Sequence, residues 1–213
     1  MMANEPVVHV IDDDEAARHA LEFLIDCAGY PVRSYASAIE FLEEAGKMER
    51  GCIITDVRMP EMSGVELVAR LKAQGVPDPV IVITGHADVP MAIQAMKQGV
   101  SDFIEKPFSD EVILTAVHSA LAQASDRLQR QAQLDDIKGR LESLSQRERE
   151  VLERLVEGKA NKVIAFDLDI SARTVEVYRA NVMAKMQARS LSELVRMVML
   201  TRLGEDGHKT ITG

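Results

Sequence analysis

At 213 residues the chain has room for one large domain or two small ones, and hydrophobic residues make up 46% of it, enough for proper cores. No apolar stretch approaches the ~20 residues of a membrane span, and the start MMANEPVVHV does not read as a signal peptide. Cys27 and Cys52 lack metal or redox spacing and none of the five histidines pairs with another at ligand spacing, which argues against disulfide-stapled, histidine-metal and membrane proteins and for a cytoplasmic one with reduced thiols. The net charge of −9 is uneven: −11 over residues 1–125 (9 Lys+Arg, 20 Asp+Glu) and +2 over residues 144–213 (12 and 10). An acidic front joined to a mildly basic tail predicts two domains with different partners.

In chain order, apolar runs at Val7–Ile11, Val32–Tyr35, Cys52–Thr55, Val80–Thr84 and Asp102–Glu105 read as strands. Helical patterns lie between and after them, at Glu15–Ala28, Ala38–Gly46, Gly64–Gln74, Asp88–Gln98 and Glu111–Ala124. Strict alternation calls for a parallel sheet covered on both faces, and right-handed crossovers make it an α/β doubly wound five-stranded domain, closing near Ala124.

In such a sheet the carboxyl ends of the strands converge on one crevice. Asp12 and Asp13 follow the first strand, Asp56 ends the third, Thr84 ends the fourth and Lys106 follows the fifth. Asp14 reads as a cap of the first helix. Like charges at Asp12, Asp13 and Asp56 raise one another's pKa unless a cation sits between them. Carboxylates with a backbone carbonyl and waters suit Mg²⁺, with Mn²⁺ as the alternative ion. Asp56 then reads as a carboxylate nucleophile forming an aspartyl phosphate, with Lys106 and Thr84 for two phosphoryl oxygens. Lys106–Pro107 is a candidate cis bond that would aim the lysine inward.

Residues 5–124 resemble a bacterial response-regulator receiver domain of flavodoxin-like fold. The match rests on the acidic pair Asp12/Asp13, on Asp56 before Arg58-Met59-Pro60, on Thr84 and Phe103, and on Lys106 before Pro107. The resemblance implies that Asp13, Asp56 and the Arg58 carbonyl coordinate Mg²⁺, with Asp12 acting through water. It makes Thr84 and Phe103 a switch pair, in which Phe103 in place of Tyr leaves a switch by packing alone. A haloacid-dehalogenase-type phosphatase is the enzyme alternative. It would want a threonine shortly after the acidic pair, where Glu15 and Ala16 stand, and no Gly-rich nucleotide loop occurs. No enzyme is expected, beyond slow loss of phosphate from Asp56.

From Ser125 to Ser143 the composition turns to charged residues and glutamine, with Leu134, Ile137, Leu141 and Leu144 spaced 3, 4 and 3. That stripe fits a short coiled-coil seam between two chains, or equally the buried side of a linker helix lying on its own domains. Gly139 weakens the helix by ~1 kcal/mol relative to Ala.

Residues 144–213 read as an all-α domain of four helices. Ser145 with Glu148 is a capping-box start, leading into Val151, Leu152, Leu155 and Val156, and Gly158 then breaks the chain. Asn161–Leu168 forms a second helix, Asp169-Ile170 a turn, Ser171 caps a third helix running to about Met186, and Leu191–Leu200 forms a fourth. The paired middle helices follow the helix-turn-helix plan. In the third helix Val175, Tyr178, Val182 and Met186 form the buried stripe, opposite Arg173, Glu176, Val177, Ala180, Asn181 and Lys185. Residues 171–190 carry Arg173, Arg179, Lys185 and Arg189 against Glu176 alone. Val177 and Ala180 suit thymine methyls, while Thr174 and Lys185 at the two ends suit phosphates.

The wording SQREREVLERLVEG…NKVIAFDLDISARTVEVYRANVMAKM closely resembles the LuxR-type DNA-binding domain of the NarL/FixJ group over nearly all of residues 142–202. Tyr178 departs from the more usual histidine. VITGHADVPMAIQAMK, FIEKPF and TVEVYRANVMAK resemble the nitrogen-fixation regulators of that group. The resemblance implies a FixL-like, oxygen-sensing histidine kinase as phosphoryl donor, remodelling of segment 88–105, a homodimer on phosphorylation, double-stranded DNA as target and contact with RNA polymerase. The whole reads as a phosphorylation-switched transcription factor: receiver 1–124, helical linker 125–143, DNA-binding domain 144–213. A DNA-binding module that works unphosphorylated is the rival.

Overall fold

The computed structural model describes residues 5–85 and 95–209, with side chains throughout except at position 47 and at 204–209. The expected helix Asp88–Gln98 lies outside the described residues up to position 94, as does that part of segment 88–105; positions 95–97 are helical. Two compact units divide the chain, Met1–Arg127 and Leu128–Gly213.

The first unit is built on β1 (Val7–Ile11), β2 (Val32–Tyr35), β3 (Gly51–Asp56), β4 (Val80–Thr84) and β5 (Asp102–Glu105). All four pairings are parallel, in the order β2-β1-β3-β4-β5. Every residue of β1 and β4 is buried, as a sheet covered on both faces requires. One face carries Ile11, Ile53 and Val82 with Phe41 of α2 (Ala38–Glu44) and Leu67 and Leu71 of α3 (Gly64–Ala73). The other carries Val10, Ile54 and Ile81 with Leu21 and Ile25 of α1 (Glu15–Cys27) and Ile113 and Val117 of α4. Strand order reverses between β1 and β3, which places a crevice at their carboxyl ends.

The elements depart from the sequence reading in a few places. A 3-10 turn, Ala45–Lys47, ends the second helical stretch after Glu44. β3 begins at Gly51, where a Cβ would stand 1.7 Å from the Val7 carbonyl oxygen, so no other residue pairs there without moving β1. The largest correction concerns α4, which runs unbroken from Asp110 to Glu142 instead of closing near Ala124. Its sequence explains why: residues 125–142 hold no proline, and their single Gly139 costs only ~1 kcal/mol against many good helix formers.

The second unit holds the end of α4, then α5 (Gln146–Val156), α6 (Asn161–Asp167), α7 (Ala172–Met186) and α8 (Leu191–Lys209). α8 continues nine residues past the expected end at Leu200, through Gly204 and Gly207. Ser145 and Glu148 form the capping box of α5, and Ser171 caps α7 by accepting from the Thr174 N–H. Gly158 (φ 79°) and Asp169 (φ 54°) take the left-handed turns that separate α5, α6 and α7. Ile137, Leu144, Val151, Leu155, Ile164, Val175, Val182, Met186, Leu194 and Val198 form one core, with Leu141 packed against it. The stripe at 137, 141 and 144 is therefore occupied by this chain's own helices, which resolves the two readings of it against a coiled-coil seam at those positions.

Two glycines make the geometry testable. A Cβ at Gly64 would meet the Asp56 carbonyl oxygen at 2.2 Å and Thr55 Oγ1 at 3.0 Å, whereas nothing lies within 4 Å of one at Gly46. Gly64→Ala is expected to lower stability by about 1–3 kcal/mol through forced displacement of the β3–α3 loop. Gly46→Ala should be neutral or stabilise by up to about 1 kcal/mol through the unfolded chain. Urea melts of the two variants check this, and equal midpoints would contradict the close approach.

Candidate functional site

Ile11 pairs with Thr55 across β1 and β3, so Asp12 and Asp56 leave the sheet side by side. Lys106, just beyond β5, reaches both: its Nζ donates to Asp56 Oδ1 at 2.8 Å and to Asp12 Oδ2 at 3.1 Å. The second oxygen of each carboxylate accepts a backbone N–H, Asp12 Oδ1 from Asp14 at 2.9 Å and Asp56 Oδ2 from Arg58 at 2.6 Å. The Lys106 N–H donates to the Thr84 carbonyl at 2.7 Å, which ties the loop after β5 to the end of β4. The Lys106–Pro107 peptide is cis.

Asp12 is only 2% exposed. Burial raises its pKa above the ordinary carboxylate value, against the opposing pull of the Asp14 N–H and the Lys106 ammonium. For Lys106, burial alone acts downward, but the hydrogen bond to Asp56 and the charges of Asp12 and Asp56 outweigh it and the net shift is upward. The two partners thus shift in the same direction, although an ion pair by itself would lower the acid. Desolvation explains the difference, because Asp12 lies deeper than the ammonium. The arrangement favours a charged Lys106 in any case.

Of the residues read from the sequence, Asp12, Asp56 and Lys106 are joined directly and Thr84 lies buried beside them. Asp13 and Arg58 are exposed, and Pro107 is exposed at the rim. Phe103 is half-buried against the face of the sheet that carries α3. Asp14 caps α1, accepting from the N–H groups of Ala16 and Ala17. Arg18 was missed: its Nη1 donates to the Asp12 carbonyl at 2.8 Å and holds the loop that carries the acid. Its signal in the sequence was a cation at the end of the first turn of α1. Among the described residues no three His, Cys, Asp or Glu side chains form a metal cluster. Mg²⁺ needs only one or two carboxylates, the rest being carbonyl and water oxygens, and the hard oxygen donors around Asp56 fit that chemistry.

In the second unit, Val175, Val182 and Met186 of α7 are buried and Tyr178 packs against them. Arg173, Glu176, Val177, Ala180 and Asn181 are exposed, Val177 at 56%. Thr174 is turned to the cap, its hydroxyl 2.8 Å from Ser171 Oγ. Arg179 is half-buried, with Nη1 3.4 Å from Asn161 Oδ1 on α6. Lys185, read as a phosphate ligand, is engaged inside the unit. Its Nζ donates to Glu148 Oε2 at 2.7 Å and to the Ser143 carbonyl at 3.3 Å. Glu148 is 4% exposed, and a carboxylate so buried needs a cation. Lys185 supplies it, and with the Ser145 N–H it holds the Glu148 pKa down to about 2.

Residues 8–118 match the family model for the response regulator receiver domain, and residues 142–198 match that for bacterial regulatory proteins of the luxR family. The chain belongs to the response regulators that join a receiver to a luxR-family DNA-binding domain, a family of transcription regulators and not of enzymes. It is 54% identical to the transcriptional regulatory protein FixJ of Azorhizobium caulinodans over 193 residues, covering 91% of this chain and 92% of the relative. Among solved structures, full-length FixJ from B. japonicum is 49% identical, with a TM-score of 0.61 over 94% of this chain and 99% of that one. The response regulator StyR is 39% identical, with a TM-score of 0.82 over 92% and 99%.

The Glu148–Lys185 tie has a defined pH signature. The folded pKa of Glu148 lies below its ordinary 4.5, so its stabilisation is complete above about pH 4.5 and is lost as pH falls towards about 2. Lys185→Ala should cost about 1–3 kcal/mol near neutral pH by leaving the buried carboxylate short of a donor. The stability difference between wild type and Glu148→Gln should shrink between pH 4.5 and 2, measured by denaturant unfolding across that range. A difference independent of pH would remove Lys185 from this role.

Proposed function

We propose that Asp56 is the phosphoacceptor of a two-component system and that its phosphorylation drives receiver dimerisation and sequence-specific DNA binding. The observation that carries this is the Lys106 ammonium resting on Asp56 and Asp12 together. A carboxylate oxygen of Asp56 attacks the phosphorus of a sensor kinase's phosphohistidine; the new O–P bond forms as the P–N bond breaks, and the imidazole leaves with the electron pair. Lys106 then moves its hydrogen bond from Asp56 Oδ1 to a phosphoryl oxygen, and Thr84 takes a second. Asp12, Asp13, Asp56 and the Arg58 carbonyl would hold Mg²⁺, or Mn²⁺ in its place. That ion supplies the positive charge that lets an anionic donor approach an anionic acceptor.

Thr84, Phe103, Lys106 and Pro107 report the change to the segment before β5. Phosphorylation adds negative charge and strong acceptor oxygens at one point, which biases a domain with two arrangements. In this reading residues 1–124 are the receiver, 125–143 the connecting helix and 144–213 the DNA-binding module. Arg173, Glu176, Val177, Ala180 and Asn181 face the major groove, with Thr174 and Arg179 at its margin, and a dimer sets two such helices about one helical turn apart. Identity of about half to FixJ proteins over nine-tenths of both chains supports the finer reading. That reading is activation of nitrogen-fixation regulatory genes in the cytoplasm, under an oxygen-sensing FixL-like kinase and with RNA polymerase as a partner.

Asp56→Asn should abolish acid-labile phosphate incorporation from acetyl phosphate, since the amide is a far poorer nucleophile. Labelling at the wild-type rate would move the acceptor elsewhere, and wild-type DNA binding that ignores labelling would favour a module that works unphosphorylated. Val177→Ala should relax preference at one base pair by on the order of 1 kcal/mol, through a lost thymine-methyl contact, and leave the salt dependence of binding unchanged. Titrations of singly substituted duplexes at several salt concentrations check both parts. A changed salt slope with unchanged base preference would mean that another surface meets the groove.

A further inference from the structure

The luxR-family match begins at residue 142, yet the second unit draws its core from further upstream. Ile137 is 2% exposed within that core and Leu141 packs on it. The last turns of α4 are therefore built into the DNA-binding unit, and they meet α7 at its C-terminal end.

Helix ends leave carbonyls without a partner inside the helix. At the end of α7, Gln187 turns left-handed (φ 53°), and the N–H groups of Gln187 and Ala188 close on the carbonyls of Ala184 and Met183. The Met186 carbonyl accepts from outside, from Arg140 Nη1 of α4 at 3.0 Å. Arg140 is held in place for this. Its Nη2 lies 2.5 Å from Asp136 one turn earlier, and its side chain is only 22% exposed. A return contact runs the other way, from Lys185 of α7 to the Ser143 carbonyl just past α4. A cation at a helix C-terminus also meets the negative end of the helix dipole, so the guanidinium suits the place twice over.

We propose that Arg140 is a positioning residue for the recognition helix: from the end of α4 it fixes the last turn of α7, and with it the presentation of Arg173, Val177 and Asn181 to the groove. Because α4 continues without a break from Asp110, the anchor sits on the same helix that leaves the receiver. The proposal rests on the DNA-binding reading of α7, so its test has one arm that needs no DNA.

The comparison is between full-length Arg140→Ala, Arg140→Lys and Arg149→Ala. Arg149 is the control because its Nη2 holds the Glu142 carbonyl at 2.9 Å, also at the end of α4, but from α5. Amide hydrogen exchange should quicken about tenfold at Gln187 and Ala188 in Arg140→Ala, stay near wild type in Arg149→Ala, and recover in part in Arg140→Lys. Exchange at those amides that is unchanged in Arg140→Ala, or equally fast in Arg149→Ala, overturns the proposal. The second arm uses a duplex enriched from a randomised pool by the wild-type chain treated with acetyl phosphate, and a scrambled duplex beside it. Arg140→Ala should bind the enriched duplex about tenfold more weakly, with its scrambled-duplex affinity and salt slope unchanged. Equal losses on both duplexes with a slope lowered by about 1 would make Arg140 a phosphate ligand and overturn the positioning role. If the wild type enriches no duplex, the DNA-binding reading of α7 fails, and the exchange arm still decides whether Arg140 anchors the helix.

Discussion

Two carboxylates leaving neighbouring parallel strands cannot share a crevice without a cation between them, and Lys106 is the cation the fold provides. The constraint reaches through the first unit. Asp12 and Asp56 are adjacent because β1 and β3 pair at the point where strand order reverses. Lys106 arrives there because β5 pairs with β4 and its following N–H closes on the Thr84 carbonyl. Each acid has one oxygen on the Lys106 ammonium and the other on a backbone N–H, so each is held from both sides. A phosphoryl group added at Asp56, as proposed, would compete directly for the ammonium that follows β5.

The second unit solves a related problem at helix ends. Glu148 completes a capping box and is buried, and Lys185 of α7 neutralises it. Arg140 caps the far end of the same helix. Among the described residues, the side chains of Arg173 and Asn181 make no hydrogen bond or ion pair, while the backbone of α7 is held at its last turn. Arg179 and Thr174 are partly committed inside, to Asn161 and Ser171.

Much of this was legible in the sequence where burial and chain direction leave few choices. Runs buried on both faces, such as VVHVI and VIVIT, fix strand positions, and a polar residue at the end of each marks the crevice. The capping residues Ser145 and Ser171 and the turns at Gly158 and Asp169 mark the helix boundaries for local steric reasons. What escaped depends on tertiary partners. Lys185 sits among cations on an outward-looking helical pattern, and only the packing of α5 against α7 shows that its ammonium serves Glu148. Arg18 and Arg140 drew no reading from the sequence, because the carbonyls they bind, those of Asp12 and Met186, leave no mark in it. The end of α4 escaped for the opposite reason: a compositional change at Ser125 suggested a boundary, but nothing in the chain there breaks a helix.

The most direct test of the central claim is a double-mutant cycle between Lys106→Met and Asp56→Asn, read as unfolding free energy at neutral pH without added divalent ions. An ammonium shared by two partly buried carboxylates predicts a coupling energy of about 1 kcal/mol or more between the two substitutions. Additive effects within about 0.3 kcal/mol would contradict it, and would mean that Lys106 does not hold Asp56 in the folded protein.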